Sequence, residues 1–512
     1  RASTRAAAEG ACGRAGGLGY GGVALLGYGL GATMVGHNRA LRRPAAVEAV
    51  CTLAHPASLP EALRDRWRLH GSSPGYEQML ERAGRRAAGG DQGDDIVVVT
   101  RGSGYREAPC DTEVWTERTW WASRSPQATH AVSRERVPHM SVPLGIIQPS
   151  SDVEIGYGAQ LAAAAGEAGV PVHLERVPGT DHTLWDAVPA ATAASAAWLD
   201  RTLGTGGRAP RPGVAPVHPR DGVQHRLVTI VCDDGTHHDG LLHIDPAATE
   251  GRAASRGRVA VLHLHGNQGN FSVGALRFLG DPLAAAGLPM LSLETRLSNV
   301  SQIFGSAVFE EALADLAAGV AWLDAQGFDR VVVSGYSLGA VLATRFAADL
   351  APPRLAALMT FGNAVGLPNS ASRRMAATGA RPSYDDLAAE CRETLDAGRD
   401  RVVVARRAYA PSDAPRSAGV YTAGTWWHSR GPEALDAMTD RHIGRVRAPI
   451  LLLQGEADEV VLVEEASALA EVARAAGNHQ VEVAIVPGVG HSFRGGEAEA
   501  TGAALDWLAR VA

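Results

Sequence analysis

Residues 331–340 read VVVSGYSLGA. A β-branched run ends in a G-x-S-x-G pentapeptide, and the residues after it, VLATRFAADL, carry a helical period. A strand that turns sharply into a helix at Ser337 thrusts the serine hydroxyl clear of the sheet. The flanking glycines let neighbouring backbone come close. A second match to the pentapeptide, GSSPG at 71–75, has no strand before it and a proline where the helix should begin, so Ser73 is set aside.

A serine hydroxyl becomes a nucleophile only with a base to take its proton and a carboxylate to orient that base. His491 follows the apolar run VEVAIVPG in the last loop before the C-terminal helix. Asp458 follows ILLLQG, with Glu456 and Glu459 as close competitors for the same role. The order Ser337, Asp458, His491 suits a nucleophile on a strand-to-helix turn. Upstream, HGN at 265–267 follows VAVLHL, so the amides of Asn267 and Leu338 are the candidate donors to an oxyanion. Each assignment has a plainer rival: Ser337 as a turn serine, His491 as a capping or core histidine. His263 reads as structural, and His428 stays open to either role.

Around these motifs, short apolar runs (VAVLHLH, MLSLE, VVVSG, AALMTF, ILLLQG, VEVAIVPG) alternate with amphipathic helical segments. Strict alternation predicts an α/β fold with a mostly parallel sheet covered by helices on both sides. VTIVCDDG and GLLHID predict a hairpin, and a helix is expected near 307–326.

The chain contains this pattern twice. VALLGYGLGA (23–32) matches VVVSGYSLGA, and EVWTERTWWASRSPQA (113–128) matches GVYTAGTWWHSRGPEA (419–434). VPLGIIQPSSDVEI (142–155) matches APILLLQGEADEVV (448–461), and RVPGTDH (176–182) matches IVPGVGH (485–491). Composition does not produce ordered matches at a near-constant offset, so a tandem duplication is expected. In the first copy Gly29 stands where Ser337 stands, while Asp152 and His182 keep the places of Asp458 and His491. Without a hydroxyl no acyl-enzyme forms there, and a pseudoenzyme domain with a packing role is expected. The alternative is a dyad that activates water or holds a ligand. The first copy begins inside the equivalent of the helix before the elbow, so Arg1 is expected to be a point of truncation.

Residues 223–512 resemble α/β-hydrolases of the esterase, lipase and dienelactone-hydrolase type. The resemblance is carried by HGN, GYSLG, the G-x-x-D after ILLLQ, and the GH of PGVGHSF. The TR of LSLETR is also similar to an NTRG-like element of some members, without its glycine. The resemblance implies a triad of Ser337, Asp458 and His491. It also implies a cap over the site, built from the more than eighty residues between AALMTF and ILLLQG, at about 364–446. Tyr336, Trp426 and Trp427 are candidate pocket residues. The tryptophans have packing as the competing role, since the first copy keeps Trp120 and Trp121.

Length and composition agree with this organisation. A chain of 512 residues exceeds one ordinary core. The expected domains are 1–203 and 223–512, joined by a Pro/Gly-rich linker at 204–222. A net charge of −7 disfavours nucleic acid as a partner, and no apolar run is long enough to span a bilayer. All 48 basic residues are arginine, which excludes Walker-A phosphate binding and lysine Schiff-base chemistry. Five scattered cysteines without a CxxC pair read as structural thiols. The expected activity is hydrolysis of a small carboxylic ester in the cytoplasm, with no metal or organic cofactor. The two domains are expected to pack together, with further oligomerisation possible. Peptide or thioester hydrolysis, acyl transfer, and a non-catalytic binding or assembly role are the alternatives.

Overall fold

A computed structural model describes residues 22–42, 46–88, 96–101, 112–151, 155–180, 182, 184, 187–204, 222–267, 269–272, 274, 276–298, 307–350, 354–398, 402–407 and 417–512. The chain divides into two units, Arg1–Val217 and His218–Ala512, with the boundary inside the Pro/Gly-rich stretch.

The strands of the first unit are β1 (Val23–Tyr28), β2 (Val47–Leu53), β3 (Ser72–Ser73), β4 (Ile96–Arg101), β5 (Thr112–Thr116), β6 (Leu144–Pro149) and β7 (Val172–Val177). A parallel sheet runs β1-β2-β6-β7, and β3-β4-β5 form a separate antiparallel sheet. Ser73 therefore lies in a short strand paired with β4, not on a strand-to-helix turn. Helices Leu30–Arg42, Ile155–Glu167 and Val188–Leu203 return the chain between parallel strands or cover the sheet. The core divides between the faces: Val50, Leu144, Ile146 and Leu161 lie in one cluster, and Cys51, Ile147 and Trp198 in another.

The second unit holds β8 (Gln224–Val231), β9 (His237–Ile244), β10 (Val259–Leu264), β11 (Met290–Leu293), β12 (Arg330–Tyr336), β13 (Leu355–Phe361), β14 (Val402–Arg407), β15 (Ser417–Thr422), β16 (Ile450–Gly455) and β17 (Val481–Val486). Eight of them form one sheet in the order β17-β16-β13-β12-β10-β11-β9-β8. The β8–β9 hairpin is antiparallel and β9 pairs antiparallel with β11, while the other neighbours are parallel. Strands β10, β13 and β16 are buried along their whole length, as continuous apolar runs in a doubly covered sheet should be. Alternation sends Leu262 and Val333 into one core, and Val261 and Val332 into the core on the other face. Helix Glu497–Val511 covers the second face with Ala500, Ala504, Trp507 and Leu508, spaced to share one stripe.

The helix expected near 307–326 runs Ala312–Ala325. Its start is displaced because the Phe309 side chain is fully buried in the core, which pins the preceding residues as a turn.

Between β13 and β16 lies an inserted layer. It contains helices Leu367–Ala377, Tyr384–Asp396 and Ala423–Arg430 and the antiparallel pair β14–β15. It has its own core of Met375, Leu387, Cys391, Val403, Tyr421 and Trp426. Cys51 and Cys232 are likewise buried, and none of these three cysteines is disulfide-bonded. No helix among the described residues is long and apolar enough to cross a membrane.

Candidate active site

β12 ends at Tyr336, and the next residue, Ser337, has φ 55° and ψ −118° before helix Leu338–Asp349 begins. A non-glycine residue held there costs on the order of 1–3 kcal/mol, so the surroundings must over-determine it. Two features do so. The Ser337 amide donates to the Phe361 carbonyl at 2.9 Å, tying the turn to β13. A Cβ at Gly335 would overlap the Gly339 carbonyl, and one at Gly339 would overlap the His265 carbonyl. Glycine is therefore required on both sides of the serine.

His491, in the loop after β17, brings Nε2 to 2.9 Å from Ser337 Oγ. Its Nδ1 lies 2.7 Å from Asp458 Oδ2. A carboxylate only accepts, so Nδ1 carries the proton and Nε2 is left to accept from the serine hydroxyl. Asp458 is buried, and its oxygens are satisfied. Oδ2 also accepts from Gln454 Nε2 at 2.8 Å, while Oδ1 accepts from the amides of Val460 and Val461 at 2.8 and 2.9 Å. Of its competitors, Glu456 is engaged by the Gly488 amide at 2.9 Å, and Glu459 makes no bond to the imidazole. The Tyr336 ring rests 5.0 Å from the His491 ring. Burial, joined by the charges of Asp458 and Glu459, holds the Tyr336 phenol above its ordinary pKa.

Two supporting residues escaped the sequence reading. Gln454 was a polar residue in an otherwise apolar strand, which was a signal. Gly362 follows β13 at φ 59°, and a Cβ there would stand 3.1 Å from His491 Cε1.

The HGN loop approaches from β10. A Cβ at Gly266 would lie 3.3 Å from Ser337 Cβ, so this backbone passes directly beside Ser337. The Leu338 amide is at the first position of its helix, where no intrahelical acceptor exists for it. His265 anchors the loop: Nδ1 donates to the Gly266 carbonyl at 2.9 Å, and Nε2 accepts from Thr295 Oγ1 at 3.1 Å. Burial pushes His265 down to about 4 and His263 down to about 3. His263 Nδ1 lies 3.1 Å from Ser334 Oγ, away from the triad. A cavity of about 160 Å³ adjoins Gly266 and Tyr336, with His243, His263 and Ser292 among its walls.

Among the described residues, two clusters have metal-ligand residue types, His225–His243–Asp281 and Cys232–His238–Asp315. In the first, both imidazoles contact one oxygen of Asp281, at 2.6 and 2.8 Å. These are hydrogen-bond lengths, below the roughly 3.3 Å between ligand atoms that tetrahedral zinc bond lengths require. In the second, Asp315 accepts from the Arg296 guanidinium at 2.7 and 2.9 Å, an arrangement that suits a buried ion pair.

The pocket candidates separate. The Tyr336 ring lies beside that of His491. Trp426 is 1% exposed inside the inserted layer, against Tyr384, and Trp427 lies under the Arg392 guanidinium, so both are placed for packing. His428 is half-exposed and faces Glu310 at 3.4 Å.

In the first unit, Gly29 sits between β1 and helix Leu30–Arg42 at φ 51°, and its amide donates to the Leu53 carbonyl at 3.0 Å. Tyr28 Oη donates to the His182 carbonyl at 3.0 Å, with the two rings 5.6 Å apart. Asp152 lies outside the described residues.

Residues 302–497 match the family model described as serine aminopeptidase, S33. Among solved structures, the esterase Pf2001 of Pyrococcus furiosus is similar at 17% identity over 56% of this chain and 92% of its own, with a TM-score of 0.40. Est1E from Butyrivibrio proteoclasticus, solved with ferulic acid bound, is 15% identical over 56% and 98%, with a TM-score of 0.42. A hypothetical protein from Pseudomonas aeruginosa, PA2218, is 15% identical over 56% and 94%, also with a TM-score of 0.42. No curated protein matches the chain in sequence. Through the match over residues 302–497, the second unit belongs to the α/β-hydrolase superfamily.

Proposed function

We propose that the second unit is a serine hydrolase that cleaves carboxylic esters of modest size. The observation that carries this reading is the continuous chain from Ser337 Oγ to His491 Nε2 at 2.9 Å and from His491 Nδ1 to Asp458 at 2.7 Å. Ser337 attacks the ester carbonyl while His491 takes its proton. His491 then returns that proton to the departing alkoxide, and Asp458 keeps the imidazole in the tautomer the transfer needs. The amides of Asn267 and Leu338 receive the oxyanion. Water, activated by the same imidazole, frees the acid and restores Ser337. The inserted layer at about 364–446 acts as a cap that excludes water during the acyl-enzyme stage. The description of the matched family as a serine aminopeptidase favours peptide hydrolysis as the second reading, which the same residues would serve.

The first unit, on this proposal, is a duplicated copy without a nucleophile. Its support is the element order. Four parallel strands, β1-β2-β6-β7, run as β12-β13-β16-β17 do, and each set has an antiparallel pair inserted after its second strand.

A fluorophosphonate probe tests the enzyme reading. Labelling that disappears in Ser337→Ala is the expected result; a folded wild type that takes no label overturns it. Nitrophenyl esters of increasing chain length and an aminoacyl anilide then separate esterase from peptidase.

A further inference from the structure

Arg430 ends helix Ala423–Arg430 of the inserted layer and is only 8% exposed. Its guanidinium carbon lies 4.7 Å from the centre of the Tyr421 ring, and NH1 donates to Ser429 Oγ at 2.7 Å. NH2 crosses to the body of the unit and donates to Asn267 Oδ1 at 2.9 Å. The other end of that amide is near the same layer, with Asn267 Nδ2 3.5 Å from Tyr421 Oη. The helix is itself tied to the body where Thr425 Oγ1 donates to the Ala307 carbonyl at 2.7 Å. No carboxylate among the described residues lies within ion-pair distance of Arg430. Arg296, of similar burial, is bound by both Asp315 and Asp234.

A buried guanidinium without a carboxylate is costly unless its charge is used. Among the described residues, its bond outside its own layer falls on Asn267, whose amide is proposed above to receive the oxyanion. Asn267 is exposed, so nothing in its own loop need hold its side chain in one rotamer. Arg430 is held by a ring, a hydroxyl and the Tyr384 Oη bond to its carbonyl at 2.7 Å, so it can impose an orientation. Arg124 makes the same local contacts in the first unit, over Trp115 at 3.6 Å and to Ser123 Oγ at 2.6 Å. Stacking and the neighbouring serine bond are thus common to both arginines.

We propose that Arg430 is a positioning residue of the active site: from the cap it fixes Asn267, and with it the loop that receives the substrate's oxyanion. The oxyanion site is then complete only while the cap helix is seated. This role presupposes the serine hydrolase proposed above.

The test is a double-mutant cycle on full-length protein, read as the rate of fluorophosphonate labelling of Ser337 and as kcat and KM for a nitrophenyl ester. Arg430→Gln should slow labelling and lower kcat about 10- to 100-fold with KM little changed, the pattern of an interaction made in the transition state. Arg430→Lys, which keeps a donor for Asn267 Oδ1, should recover part of the rate. In the Asn267→Ala background, Arg430→Gln should cost less than about 3-fold, because coupled residues are not additive. Equal loss in both backgrounds would mean that Arg430 only packs the cap or supports folding, and would overturn the inference while leaving the hydrolase reading intact. A wild type that takes no label overturns both.

Discussion

A β-carbon placed on Gly29 would lie 3.6 Å from Nε2 of His182, with no other described heavy atom beyond its chain neighbours within 4 Å. The space for a serine is open, and an imidazole nitrogen faces it. Gly29 already has φ 51°, close to the 55° of Ser337. Gly29→Ser should therefore be tolerated in the fold. Among the described residues, however, no strand stands beside β1 to supply a loop like HGN. The double variant Gly29→Ser, Ser337→Ala should turn over no nitrophenyl ester, and hydrolysis above the rate of Ser337→Ala alone would refute this.

Asp458→Asn should leave the fold intact and lower kcat by about 10³- to 10⁴-fold, since an amide there favours the wrong imidazole tautomer. KM should change little. Stopped-assay kinetics beside a thermal melt would check this, and a loss under about tenfold would argue that another group orients His491.

Gly362→Ala should harm activity more than stability. The new methyl would press on His491 Cε1 from 3.1 Å, in a backbone conformation that alanine adopts reluctantly. A displacement of the imidazole approaching 1 Å corresponds to about a 10²-fold loss in rate. Wild-type kcat in a folded variant would show that the ring has room to give.

Acid should weaken the second unit through His263 and His265. Burial lowers their pKa values to about 3 and about 4, so both are neutral in the folded state. The unfolded chain takes up those protons near pH 6.5 and so binds more of them below that pH. Stability is thus fully present above about pH 6.5 and falls on acidification, by at most about 1.4 kcal/mol per pH unit for each histidine. Denaturant titrations of His265→Gln between pH 4.5 and 7 should give a shallower dependence than wild type. An unchanged slope would assign the acid sensitivity to other groups.

The strands around the elbow were legible because doubly covered strands such as VVVSG and ILLLQG are continuous apolar runs between turn residues. Ser337, Asp458 and His491, the proposed triad, could be picked out because each follows such a strand by a few residues. Asp458 could be preferred over Glu456 and Glu459 only by position; the structure separates them by placing the Val460 and Val461 amides around one carboxylate. Trp426 was ambiguous because a pocket wall and the core of an inserted layer both call for an aromatic ring. The bond from Arg430 to Asn267 left no trace in the sequence. It joins residues far apart in the chain, and neither has a pattern of its own.

The three thiols among the described residues are buried in three different places. Cys51 is in the sheet core of the first unit, Cys232 sits beside Asp315 at the turn of the β8–β9 hairpin, and Cys391 is in the core of the inserted layer. Burial raises the pKa of Cys51, and it raises that of Cys232 to about 12, so neither reacts readily while its surroundings stay closed. The protein thus carries its own clock for opening. Under pulsed alkylation, the order in which these cysteines acquire label gives the order in which inserted layer, hairpin and first sheet come apart.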